Sequence, residues 1–235
     1  MIPKIIHQTA KTAQLAPQWA ELQAKVRALH PDCEYRLWTD ADNRAFVRSE
    51  MPWLLKTFDD MPRPIMRADL IRYVIMFSIG GLYLDIDYEM LKPFDLWEKG
   101  CVLPYNRNRS AGDRFDGIGN CIFASAPGNP LWIGLVKAIQ ARAPFSEDVD
   151  VEAETGPEFI NRFRMSVGET EWASWRIFMP ERALFHPKTP RTEAERQRIV
   201  SKGIAYGIHH CHGTWRDTPL WKRAACRFIA LLRRQ

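Results

Sequence analysis

Asp85 and Asp87 stand on either side of Ile86, directly after the apolar run Leu82-Tyr83-Leu84. In extended backbone the side chains of residues i and i+2 share a face, about 7 Å apart. Two carboxylates at that separation repel by about 2 kcal/mol at an effective dielectric of about 20. A divalent cation that takes oxygen ligands, Mn²⁺ or Mg²⁺, would remove the repulsion. Asp also closes turns after strands, so the pair by itself supports either use. A second group of ligand-type residues, His209, His210 and His212, follows a short apolar segment much later in the chain. Imidazole nitrogen suits Mn²⁺ as a companion to carboxylates. If the strand persists there, His209 and His210 point to opposite faces. A third group holds Arg67, Asp69 and Arg72. The i, i+3 spacing of Asp69 and Arg72 puts them on one helical face, where they can pair. In solvent such a pair contributes little.

These groups need elements to bring them together. Pro62-Arg63-Pro64 starts a helix rigidly, and Gly80-Gly81 ends it where φ can turn positive. Between them Leu70, Ile71, Val74, Ile75 and Phe77 form a broad apolar surface. That helix leads straight into the strand Leu82–Leu84, so its charged face can be aimed at the Asp85 end. Upstream, residues 3–9 read as a buried strand, residues 17–30 as a helix and residues 35–38 as a second strand. The strand-helix-strand order predicts a parallel sheet with a right-handed crossover. Further strands are predicted at 101–105, 120–124, 176–180 and 204–209. Helices are predicted at 130–142, 157–165 and 218–234, with an exposed loop and helix over 187–198. In open α/β sheets, ligands bind beyond the carboxyl ends of the strands, which is where Asp85 and Asp87 fall.

The chain has 235 residues, 46% of them hydrophobic and 26% charged, enough for one α/β domain with its own core. A net charge of +5 without a long Lys/Arg block in the body makes nucleic acid an unexpected partner, while phosphates or an anionic membrane surface fit. The five cysteines are scattered and never spaced C-x-x-C, which predicts neither a disulfide framework nor a zinc cluster and suits a reducing, cytoplasmic setting. The start MIPKIIHQT is too short in apolar residues for a signal peptide. The longest apolar stretch, Tyr73 to Ile79, is far below the roughly 20 residues that span a bilayer. Residues 218–235 read as a basic amphipathic helix, with Lys222, Arg223, Arg227, Arg233 and Arg234 around Phe228, Ile229, Leu231 and Leu232. Such a helix either docks on its domain or lies peripherally on the inner face of a membrane.

The run R-A-D-L-I-R-Y followed by G-G-L-Y-L-D-I-D, ending at Asp87, resembles the sugar-binding signature of glycosyltransferase family 32. The opening I-P-K-I-I-H-Q-T, Asn120 with the later P-G-N-P, Thr155-Gly156-Pro157 and the run from His209 to Trp215 are similar to other parts of that family, and in its order. The resemblance implies a GT-A fold, with a Rossmann-like, mostly parallel sheet flanked by helices. It also implies retaining, metal-dependent transfer of a hexose from a nucleoside diphosphate sugar to a glycan or lipid-linked acceptor, as in surface polysaccharide synthesis. By family position Asp87 ligates the metal, and Asp85 contacts the ribose or reaches the metal through water. His209 is the first candidate for a third ligand and His210 the second. Asp69 and Arg72 bind the transferred sugar, with Tyr83 in the same signature, and Asn120 lies beside the reacting sugar. His7 and Gln8 lie near the nucleotide base, with Thr39 and Asp40 close by, and Thr214 and Trp215 close over the diphosphate. Cys211 departs from the family pattern, where an aromatic is common.

Two other readings start from the same residues. A glycoside hydrolase would use a carboxylate pair without metal. A non-catalytic nucleotide-sugar or glycan-binding protein would bind donor tightly without turnover. Which sugar and which nucleotide, UDP or GDP, stays open from these residues.

Overall fold

The computed structural model describes residues 1–106, 117–185 and 189–212. Thr214, Trp215 and the C-terminal helix expected over 218–235 lie outside the described residues. The chain opens with β1 (Ile5–Thr9), α1 (Pro17–Leu29) and β2 (Glu34–Trp38), then α2 (Asp40–Glu50), a short 3₁₀ turn (Pro52–Leu54), α3 (Leu55–Asp59) and α4 (Pro64–Ser78). It continues through β3 (Gly81–Leu84), β4 (Tyr88–Met90), β5 (Cys101–Val102), β6 (Tyr105–Asn106), β7 (Gly117–Ile118) and β8 (Ile122–Ser125). The rest is α5 (Pro130–Arg142), α6 (Val151–Glu154), α7 (Pro157–Val167), α8 (Glu169–Ser174), β9 (Ile177–Phe178), α9 (Arg182–Phe185), α10 (Glu193–Lys202) and β10 (Gly207–His209).

The main sheet has six strands in the order β2-β1-β3-β8-β5-β9. Strand β1 pairs in parallel with both β2 and β3, as the strand-helix-strand order predicts. Strand β8 runs against both of its neighbours, and β5 pairs in parallel with β9. The expected mostly parallel α/β sheet is therefore present, with one reversed strand. Side chains alternate across it. Leu82, Leu84, Ile122 and Ala124 enter a core with Ile6 and Val26 of α1. Tyr83 and Phe123 face the opposite core, which holds α4 and α5. Helix α4 is buried nearly all round, from Met66 to Met76.

Two glycines fix how α4 meets the sheet. Gly80 and Gly81 adopt φ of +73° and +104°. A Cβ on Gly80 would lie 2.5 Å from the Ser125 carbonyl oxygen, and one on Gly81 2.5 Å from that of Ile5. Only a residue without a side chain lets β3 slide between β1 and β8 immediately after the helix. The sequence reading departs from the structure at Cys101 to Tyr105, expected as one strand, where two short strands are separated by Leu103-Pro104. Pro104 has no N–H to give the ladder. Helices α2 and α3 and strand β4 were absent from that reading.

Two histidines hold the sheet to its surroundings in neutral form. His7 is fully buried; its Nε2 lies 2.8 Å from the Gly80 carbonyl, and its Nδ1 accepts the Trp38 indole N–H at 3.0 Å. His30 reaches the Val26 carbonyl through Nδ1 and accepts the Phe94 backbone N–H at Nε2, 2.9 Å away. Burial lowers the pKa of both, that of His7 from 6.5 to about 4. The folded state thus favours the neutral ring. For His7, stability from this source is present above pH 6.5 and is lost as pH falls towards 4, at up to about 1.4 kcal/mol per unit, and His30 acts in the same direction. Urea titrations at pH 7, 6 and 5 should show that decline, and a His7→Gln variant should show a flatter one.

Candidate functional site

The carboxyl end of β3 opens into a turn rather than continuing as strand. The Tyr88 N–H donates to the Asp85 carbonyl at 3.0 Å, which folds Asp85-Ile86-Asp87 back on itself. The extended arrangement expected for the two carboxylates is therefore replaced by a tighter one. Strand β10 pairs antiparallel with β4 and sets His209 opposite Tyr88. His209 Nε2 then lies 3.2 Å from Asp87 Oδ1 and 3.7 Å from Asp85 Oδ2. One donor atom from each of Asp85, Asp87 and His209 falls within 4.8 Å of the others. Ligands at adjacent corners of an octahedral cation with bonds of about 2.1 Å are about 3 Å apart. The three side chains fit such an ion with modest adjustment, and their mixture of two carboxylates and an imidazole suits Mn²⁺.

His210 turns the other way. Its Nε2 lies 3.2 Å from Glu89 Oε2, while its backbone N–H donates to the Asp87 carbonyl at 3.1 Å. The two histidines that the sequence left open thus point apart where β10 ends, and His209 is the one beside the acids. The other ring nitrogen of His209 is 3.1 Å from Cys211 Sγ, and the His212 N–H donates to Asp87 Oδ2 at 3.0 Å.

Beneath the acids sits Arg72. Its guanidinium is 3.0 Å from Asp69 Oδ1 and 3.1 Å from Asp85 Oδ1, and it donates to the backbone carbonyls of Asn120 at 2.6 Å and Ala68 at 3.1 Å. Both Arg72 and Asp69 are about 3% exposed, so the i, i+3 pair is no solvated surface bridge. Asp69 also accepts from Asn120 Nδ2 at 3.0 Å and from Thr155 Oγ1 at 2.8 Å. The ring of Tyr83 lies under the guanidinium, 4.9 Å from centroid to Cζ, and its hydroxyl donates to Asp85 Oδ1 at 3.0 Å. Asn120 reaches this place because β8 runs backwards, so the residues before it arrive at the edge where β3 ends. Burial raises the carboxyl of Asp69 to about 6, against the pull of Arg72, and raises Asp85 in the same sense. Burial would do the same to Asp87, but hydrogen bonds from His209 and the His212 N–H more than offset it, and its pKa is lowered. Three carboxylates thus meet one guanidinium and an imidazole in a cluster that is buried at Asp69 and Arg72 and half-buried at Asp85, Asp87 and His209, where a cation can enter.

Of the remaining predicted residues, those described lie in β1 and at the carboxyl end of β2. Gln8 is buried; it donates to the Asp85 carbonyl at 3.2 Å and accepts from the Tyr35 hydroxyl at 2.7 Å. His7 contacts Gly80 and Trp38, so the observed partners of both residues are protein groups. Thr39 caps α2 in a reciprocal pairing with Asp42, and Asp40 follows, exposed, at the carboxyl end of β2. Thr155 and Glu89 carried no assigned role in the sequence reading. The hydrogen bond of Thr155 to Asp69 spans 86 residues, a separation at which no local pattern is visible.

Residues 16–103 match the family described as a glycosyltransferase sugar-binding region containing the DXD motif. The chain is 34% identical over 193 residues to inositol phosphoceramide mannosyltransferase 3 of Schizosaccharomyces pombe, a match covering 79% of this chain and 48% of that protein. It is 36% identical over 163 residues to a mannosyl phosphorylinositol ceramide synthase of Saccharomyces cerevisiae, covering 68% and 42%. The chain spans about half the length of these curated relatives. Among solved structures, PaToxG Glycosyltransferase superimposes with a TM-score of 0.51 at 16% identity, over 88% of this chain and 89% of that one, a likeness of fold.

Removing Arg72 would leave Asp69 and Asp85 buried without their shared cation. An Arg72→Met variant should lose about 3–5 kcal/mol of stability in urea denaturation at pH 7. An Asp59→Asn variant, which breaks an exposed ion pair with Arg44, should lose at most about 1 kcal/mol.

Proposed function

This chain belongs to the family of glycosyltransferases with a DXD-containing sugar-binding region, and on that premise we propose that it moves a mannosyl unit from a nucleoside diphosphate sugar to an acceptor hydroxyl. In this reading Asp85, Asp87 and His209 hold a divalent cation, Mn²⁺ or Mg²⁺. The observation that carries it is the convergence of those three donor atoms at the carboxyl end of β3, beside the buried Asp69–Arg72 pair. Bound there, the cation supplies Lewis-acid neutralisation of charge that develops on the departing nucleoside diphosphate. The protein's own part is positional. Arg72 and Tyr83 fix one oxygen of Asp85, which leaves Oδ2 directed to His209. Asp69 and the Asn120 carbonyl hold Arg72 in turn, with Thr155 bonded to Asp69 beneath them, and this group lies under the place of the sugar. Thr39 and Asp40, at the end of β2, flank the space assigned to the nucleotide.

Transfer proceeds with retention: the acceptor hydroxyl attacks on the face from which the diphosphate leaves, and the leaving phosphate takes its proton. The names of the two yeast relatives support mannose as the unit moved and a lipid carrying inositol phosphate as the acceptor class. Such an acceptor would bring the chain to a membrane surface, for which the Lys/Arg-rich residues 218–235 supply cations.

Thermal shift with GDP-mannose, UDP-glucose and UDP-galactose, each with and without Mn²⁺, tests donor and metal together. At a concentration a hundred times its Kd, the true donor stabilises the fold by about 2.7 kcal/mol. GDP-mannose with Mn²⁺ should give the largest rise in Tm, and Asp87→Ala should remove the metal-dependent part. Full transferase turnover in excess chelator would overturn the metal assignment, and tight donor binding without any turnover would favour a binding protein.

A further inference from the structure

Glu89 lies on β4, two residues after Asp87, and its carboxylate is one of the few buried charges outside the Arg72 cluster. Three basic side chains from three separate parts of the chain converge on it. Lys25 Nζ of α1 lies 2.8 Å from Oε1. Arg196 of α10 grips both oxygens with its guanidinium. His210 Nε2, just past β10, lies 3.2 Å from Oε2. Both oxygens are thus fully engaged, which offsets the cost of burying the charge. Lys25 and Arg196 dock helices, a purely structural service. The contact to His210 differs, because His210 is the neighbour of His209.

We propose that Glu89 is a positioning residue for the metal site, acting through His210 to set the rotation of the chain at His209. The inference rests on the assignment of Asp85, Asp87 and His209 as cation ligands. His209 ends β10 and His210 continues from it with its side chain turned the other way, so drawing His210 towards Glu89 turns His209 towards Asp85 and Asp87. The backbone bond from His210 N–H to the Asp87 carbonyl, 3.1 Å, fixes the strand's height but leaves its roll to the side chains. Strand β10 is only three residues long, too short to hold that roll by its own ladder. Thr189 Oγ1 donates to the His209 carbonyl at 2.8 Å, and Glu89 adds a side-chain restraint from the strand that follows the acidic turn.

Direct Mn²⁺ binding, followed by electron paramagnetic resonance on the full chain, tests this without relying on turnover. Glu89→Gln and His210→Phe should each raise the Mn²⁺ dissociation constant about tenfold or more, within the 10–100-fold range usual for residues that orient a ligand. Lys25→Met, which removes a Glu89 partner not attached to β10, should leave it within about twofold. His210→Phe keeps the inference testable should Glu89→Gln fail to fold. Wild-type affinity in folded His210→Phe or Glu89→Gln would overturn the positioning role. Loss of affinity in Lys25→Met equal to that in the other two would also overturn it, since general loosening would then account for all three. Absence of Mn²⁺ binding by the unaltered protein would instead overturn the metal assignment itself.

Discussion

The buried guanidinium of Arg72 is the interaction on which the rest of the site depends. Among the described residues it alone touches Asp69, Asp85 and the Asn120 carbonyl together, and so it ties α4, the end of β3 and the segment before β8 into one edge. A planar, permanently charged fork can satisfy several acceptors at fixed angles, which a lysine could not. Tyr83 closes its lower face and adds a bond to Asp85. The carboxylates therefore have defined positions before any ligand arrives. Such preorganisation is what a site needs if it is to act on charge that develops only during reaction.

The elements were legible wherever punctuation and periodicity agreed. Helix α5 begins at Pro130 and ends at Arg142, as read, because Asn129 caps it and proline sets its first turn. The ends of α4 were equally clear from Pro64 and from Gly80-Gly81. Helix α2 was missed because its sequence, DADNRAFVRSE, is mostly polar and buries only Asn43 and Val47. Strand β4 was missed because three residues cannot show a period, and its partner β10 lies more than a hundred residues later.

The site was legible by type and only partly by geometry. Asp85 and Asp87 were expected in extended backbone, yet a turn holds them, and the turn brings them closer than a strand would. The choice between His209 and His210 needed the register of β10 against β4, which no sequence pattern contains. The Asp69–Arg72 pair was visible at i, i+3, but its burial was not, since burial depends on Asn120, just before β8, and Thr155, at the end of α6. His7 and Gln8, expected close to a nucleotide, instead make their observed contacts inside the protein, beneath that edge.

The pairing of β4 with β10 has one more consequence. Glu89 and His210 are 121 residues apart in the chain, and about half of the chain lies between them. The segment matched to the sugar-binding family, residues 16–103, contains both acids and the whole Arg72 helix but stops far short of the imidazole. A nascent or shortened polypeptide carrying every residue of that signature would still lack the third corner of its cluster. Contacts between such distant segments form late, because the closing of a long loop costs entropy before any contact repays it. The site is thus a report that folding has finished.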